Sequence, residues 1–180
     1  MRARHFALLF SLFPSLAGAA PTRAQVERLL AGYEPQATAA SFQRLGAGTD
    51  KVLIAIAADA ATSPLRRVRA LAALQWVPTA EGQAAYQRVV REEGGALEGQ
   101  PVLEVVACAR TLGAFGASAS ADLVPLVSHP LAEVRIAAAH GLAAAKATGA
   151  IAALQDRLAV EDDAAAKDAL ARAVRVLQAR

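Results

Sequence analysis

The feature that most limits what this chain can become is a unit that returns four times: a helix-starting residue followed by a fixed ladder of apolar positions. Pro64, Pro101, Pro130 and Asp163 open the copies. Four places on stand Val68, Val105, Val134 and Lys167, and eight places on stand Ala72, Ala109, Ala138 and Ala171. The openers are 37, 29 and 33 residues apart, and self-similarity at such a period means that one supersecondary unit is stacked on its neighbours. An array of this kind presents surface to partners, so the class of function is legible while the partner is not.

The ladder reads as helix. Proline suits a first helical turn because its missing N–H has no intrahelical partner there, and Ser63 and Asp162 stand where N-cap acceptors belong. Leu65, Val68, Ala72 and Trp76, and likewise Leu131, Val134, Ala138 and Leu142, fall on one face at helical spacing. Alanine at the eighth offset of every copy predicts a place where a neighbouring helix comes too close for a larger side chain. A second helix follows each first one, expected from Ala80 to Glu92 behind Thr79, from Ser118 or Ala119 to Val127, and from Ala150 to Ala159 behind Gly149. Each unit is thus expected to be a helical hairpin. Pro35 begins a weaker upstream copy with Phe42 and Leu45 as anchors and 49–57 as its second helix, and Lys167 and Asp168 make the last helix polar. Both departures suit terminal caps, which face water on one side.

Composition agrees with helices. Hydrophobic residues make up 55% of the 180 and aromatics only 4%, so the apolar mass is Ala, Leu and Val, which favours close-packed helices over sheets. At the N-terminus Arg2 and Arg4 precede the apolar run 6–13, and Ala17-Gly18-Ala19 has the form of a cleavage site. Pro14 interrupts the run, which is shorter than a membrane span needs. Residues 1–19 are read as a secretory signal peptide cleaved after Ala19, placing the protein in the periplasm or outside the cell with no stable membrane anchor. Its removal lowers the 19 basic residues to 17 against 16 acidic. Near-neutral charge argues against nucleic acid, whose recognition depends on clustered cations; Arg66, Arg67 and Arg69 lie on different sides of their helix.

Chemistry-bearing patterns are sparse. Cys108, the only cysteine, falls on an apolar offset shared with Leu71, Ala137 and Leu170 and reads as a small buried hydrophobe. His129 and His140 lack the spacing of metal ligands, and no nucleophile elbow, phosphate loop or dinucleotide motif is present. Gly113-Ala-Phe-Gly116 reads as a helix end, Glu161-Asp162-Asp163 as a helix start, Tyr86 as a core residue with its hydroxyl at the edge, and 94–100 as a surface loop. The sequence therefore predicts no enzyme and no cofactor.

With Pro64-Leu65-x-x-Val68-Arg69 and Pro130-Leu131-x-x-Val134-Arg135 in place, residues 35–180 resemble HEAT repeats, in particular the short bacterial HEAT-like type related to phycobilisome lyase subunits. The resemblance implies an all-α, right-handed α-solenoid of antiparallel helix pairs, with units at about 35–62, 63–99, 100–128, 129–161 and a cap at 162–180, behind a helical lead-in at 20–34. It also implies that the Arg after Val links repeats through acidic partners, although Val106 and Asp168 hold that offset in the other two copies. Ankyrin and tetratricopeptide patterns fit worse, lacking their His-x-Ala and W-x₂-L-G elements. The expected function is an exported, non-enzymatic scaffold or adaptor that binds a protein or peptide on the surface of the second helices. From spacing, the candidate residues are Gln83, Gln87, Arg88, Arg91, Asp122, Gln155 and Arg157. Two other readings stand beside it: an enzyme accessory or lyase-like subunit holding a substrate protein or chromophore, and a cytoplasmic interaction module with an uncleaved N-terminus.

Overall fold

The computed structural model describes residues 20–31 and 37–179. The expected export signal, residues 1–19, and Pro35 of the weaker first copy lie outside the described residues. Among the described residues every regular element is helical: α1 (Arg23–Leu30), α2 (Ala39–Gln43), α3 (Thr49–Ala58), α4 (Pro64–Ala73), α5 (Ala80–Glu93), α6 (Gly99–Leu112), α7 (Ala132–Ala144), α8 (Ile151–Ala159) and α9 (Ala164–Gln178), with short 3₁₀ turns between them. None of these helices is long and apolar enough to cross a membrane.

The openers start helices in different ways. Pro64 is the first residue of α4, as expected. Pro101 is the third residue of α6, still within the turn whose amides lack intrahelical acceptors. Pro130 stays outside α7, which begins at Ala132, because the Leu131 amide donates to His129 Nδ1 at 3.1 Å and is held in the loop. Asp163, and not Asp162, caps α9, its carboxylate accepting from the Ala166 amide at 2.8 Å. Ser63 precedes α4 without a side-chain capping bond.

The core follows the ladder. Leu71, Cys108, Ala137 and Leu170, seven places after each opener, are all buried, as are Val105 and Val134. Leu65 departs from its expected apolar face and is 57% exposed. The second helix expected at 118–127 is absent; two 3₁₀ turns, Ala117–Asp122 and Pro125–Ser128, take its place. Pro125 explains the break, because a proline inside a helix removes an amide donor and collides with the preceding turn. Leu123, Leu126 and Val127 are nevertheless buried.

Helix pairing also differs from the expected hairpins. Among the contacts that the second helices make, the most extensive are α3 with α4, α5 with α6, and α8 with α9, so each of these second helices pairs with the first helix of the following copy. The first helices pack in succession, α4 on α6, α6 on α7 and α7 on α9, while α5 lies beside α3. Small residues set the tightest of these contacts. A Cβ added to Gly141 of α7 would overlap the Ala109 carbonyl oxygen of α6 and come within 2.8 Å of Leu123 Cδ1. One added to Gly113 would overlap the Gly141 carbonyl oxygen and lie 2.8 Å from Ala144 Cβ. Ala109 and Ala138 are fully buried near this crossing, whereas Ala72 and Ala171 at the same offset are only half-buried.

One ion pair is sealed into this framework. Arg135 of α7 donates to both oxygens of Glu161 at 2.7 Å, and its remaining terminal nitrogen donates to the carbonyls of His129 and Pro130. Glu161 also accepts from Arg157 and from the Asp163 amide. These donors, Arg135 first, hold the Glu161 carboxyl far below the usual range despite burial.

Two outcomes follow for stability. Gly141→Ala gains up to about 1 kcal/mol of helix propensity but incurs about 1–3 kcal/mol of overpacking, so the urea midpoint should fall; a rise would mean the crossing is not rigid. Glu161→Ala leaves the Arg135 charge buried and should cost about 3–5 kcal/mol, whereas Asp168→Ala, which breaks an exposed pair with Arg172, should cost less than about 1 kcal/mol. Equal losses in chemical denaturation would contradict that ranking.

Candidate functional site

A cavity of about 430 Å³ opens where α3, α4, α5 and α6 meet. Ile54, Ala57 and Ala58 of α3, Leu71 of α4, and Ala85 and Val89 of α5 form apolar walls. Its charged lining is Arg67 of α4, Arg88, Glu92 and Glu93 of α5, and Glu104 of α6. The neighbouring shallower depression shares Ile54, Ala85 and Arg88 and adds Lys51, Glu81 and Ala84. Together they form one groove between the second helices α3 and α5.

The groove's polar base is organised by Arg67 and Glu104. Glu104 is only 2% exposed, and Arg67 Nη2 meets its Oε1 at 2.9 Å. Arg67 Nε donates to the Ala57 carbonyl at 2.9 Å, and Gln100 Nε2 donates to Glu104 Oε1 at 2.8 Å. Arg67 and Glu104 therefore tie α3, α4 and α6 together around the cavity.

Glu93 is not compensated in the same way. Its Oε2 is buried and accepts from no donor group among the described residues, and its neighbour is the Glu104 carboxyl, to which a protonated Glu93 donates. Burial first, and the charge of Glu104 next, push its pKa up, with Arg67 pulling the other way. Behind the cavity, burial pushes the Cys108 thiol well up, and the Glu104 and Glu93 carboxylates add to the shift, so Cys108 is a protonated core residue. Tyr86 is buried completely, its hydroxyl donating to the Leu71 carbonyl inside the core and not at the edge. Among the described residues no group of three or more His, Cys, Asp or Glu side chains is placed to hold a metal ion.

The expected surface residues divide. Arg88 is exposed and lines both parts of the groove. On the other flank of α5, Gln87 Nε2 donates to Asp122 Oδ2 at 2.8 Å and Arg91 Nε lies 4.0 Å from Asp122 Oδ1. Arg91 and Asp122 line a second depression, of about 340 Å³, over Val90 and Leu126. The expectation that Asp122 and Arg157 face solvent freely is corrected: both are half-buried, and Arg157 is held by Glu161 at 3.1 Å. Gln83 is half-buried on α5 and Gln155 exposed on α8, and neither lines the groove.

Sequence reasoning missed Arg67, Glu93 and Glu104 as a group. The available signal was register: Arg67 and Glu104 each stand three residues after an opening proline, so adjacent copies carry opposite charges at one offset. Arg135 pairs with Glu161, while Arg69 donates to the Leu30 carbonyl at 3.0 Å. No family model matches the chain, and no curated protein or solved structure is significantly similar to it.

The uncompensated carboxylate has a measurable consequence. Because the folded-state pKa of Glu93 is raised above its ordinary value of 4.5, its stabilising contribution is present below that value and is lost as pH rises through the folded pKa. At neutral pH the group therefore opposes folding. Glu93→Gln should therefore melt at a higher temperature than the parent at pH 7, with the gap closing towards pH 4. Thermal melts showing an equal or lower value at pH 7 would contradict the assignment.

Proposed function

We propose that the chain is a HEAT-like α-solenoid that acts as a non-enzymatic scaffold or adaptor, exported by its first 19 residues, and that it binds a protein or peptide segment along the groove between α3 and α5. The groove itself carries this reading. It combines apolar walls, from Ile54, Ala85 and Val89, with charged rims at Lys51, Glu81, Arg88 and Glu92. Ligand sites of this kind are mostly apolar with a few placed polar groups. Succession of first helices from α4 to α9, with α3 and α5 side by side, supports the solenoid arrangement, which would leave second helices free to face a partner.

Length constrains the occupant. From Glu81 to Glu93 the groove follows α5 for about 18 Å at 1.5 Å per residue, enough for about five or six residues of extended chain at roughly 3.3 Å each. A short segment within a partner would fit without unfolding of either protein.

The test is selection of a displayed random peptide library on the immobilised chain, followed by titration of the enriched peptides. Arg88→Glu should weaken binding about tenfold or more, the scale of one charge-assisted contact, while Lys167→Glu on the exposed face of α9 should leave it unchanged. No enrichment, or equal affinity for Arg88→Glu, would reject the groove as the binding surface. Mass analysis of the mature N-terminus tests export separately, and an intact Met1 would reject it.

A further inference from the structure

His129 stands before an opening proline, as Ser63 does, but the two positions are used differently. The Ser63 carbonyl accepts from the Arg66 and Arg67 amides, and α4 starts at Pro64 itself. At the equivalent place the His129 carbonyl accepts from Arg135 Nη1 at 2.8 Å, and the Leu131 amide donates to His129 Nδ1 at 3.1 Å. As a result α7 starts two residues late, at Ala132. The ring that holds this loop is only 6% exposed. A ring nitrogen that accepts from an N–H carries no proton of its own, so the imidazole is neutral with its proton on Nε2. That Nε2 is buried and has no hydrogen-bond partner among the described residues.

We propose that His129 is a proton-operated latch on the start of α7. The neutral ring holds Pro130 and Leu131 outside the helix; a ring protonated on Nδ1 releases them, and α7 then begins at Pro130 as α4 begins at Pro64. The device is separate from the groove between α3 and α5 and does not depend on what binds there.

The chemistry of the ring drives the release. A protonated imidazole has two donors and no acceptor, so its new Nδ1–H would point at the Leu131 N–H, donor against donor. Leaving the interior also lets Nε2–H reach water, which removes the cost of an unmet buried donor. The freed segment already has a structure to adopt. Proline suits the first helical position, and the His129 carbonyl is placed to take the Ala132 and Glu133 amides in the way that Ser63 takes those of Arg66 and Arg67. Arg135 gives up the His129 and Pro130 carbonyls, which become acceptors of the new first turn, and keeps both oxygens of Glu161. The change therefore stays local, while the clamp between α7 and the start of α9 persists. Charged groups around the junction are Arg135 and the exposed Glu133 of α7, Arg157 of α8, and Glu161, Asp162 and Asp163 of the turn into α9.

The experiment is a titration of the ¹³C,¹⁵N-labelled full chain from about pH 8 to 5, the range in which an imidazole changes charge. It reads the His129 ring nitrogens and the Leu131 Cα shift. At the upper end the ring should show the Nε2–H tautomer. As the ring takes up its second proton, Leu131 Cα should move downfield, the helical direction, in step with it. His129→Gln, which has no imidazole to charge, should abolish this movement, and His140→Gln, at an exposed position of α7, should leave it in place. A proton on Nδ1 at the upper end, a ring neutral throughout, a protonated ring with Leu131 unmoved, or the same movement in His129→Gln would each overturn the latch. Loss of dispersed amide signals in step with the ring would overturn it too, because the whole chain and not one turn would then be changing. If His129→Gln does not fold, the parent and His140→Gln titrations decide between the same outcomes.

Discussion

Where α6 crosses α7 there is no space for a side chain on Gly141, and the central spacing of the stack is set at that crossing. The Ala109 carbonyl occupies the place a Cβ would take, and the Gly141 carbonyl does the same opposite Gly113. Two helices brought together backbone to backbone gain dispersion contacts over their whole interface, at the expense of tolerance to any added atom. Because α7 also packs on α9, the position fixed by Gly141 is passed on through Ala137, Ala138 and Leu142, all fully buried. A chain with 4% aromatic residues has few bulky groups with which to fill wider gaps, so close approach is the route open to it.

Charge is treated with the same economy inside the stack. Glu161 and Glu104 are both almost completely buried, and each is matched by an arginine from another helix, Arg135 and Arg67 respectively. Such pairs are weak sources of net stability but strong constraints on arrangement, since removing either partner strands a charge. Arg135 closes the junction between α7 and the start of α9, and Arg67 closes the junction of α3, α4 and α6. Both lie at boundaries between successive copies, where apolar packing alone would permit sliding.

Much of this was legible in the residues. The ladder placed Leu71, Val105, Cys108, Val134, Ala137 and Leu170 inside, because burial at helical spacing is a local property that a repeat makes visible several times over. The openers marked where helices begin to within three residues, but proline tolerates any site in the first turn, so it could not fix which residue is first. Pairing was harder to read: adjacency in sequence suggested α4 with α5, whereas α5 makes its most extensive contact with α6. The segment at 117–128 misled because its apolar residues kept helical spacing while Pro125 forbade the helix. Of the groove, Arg88 was found from its exposed offset; Glu93 and Glu104 were not, since their significance depends on neighbours supplied by other copies.

Glu93 stands apart from the other acids of the interior for a physical reason that bears on function. A sequence that matches Glu161 with Arg135 and Glu104 with Arg67 has a way of compensating buried carboxylates, whereas half-buried Glu93 lies against a second carboxylate, Glu104, and so holds its proton more tightly. Departures from local consistency tend to collect at functional sites, where the arrangement favours the bound state over the free one. Here the departure coincides with the deepest part of a groove that has apolar walls and an open approach. A proton held between Glu93 and Glu104 does there what Arg135 does at Glu161, with the difference that the proton leaves as pH rises.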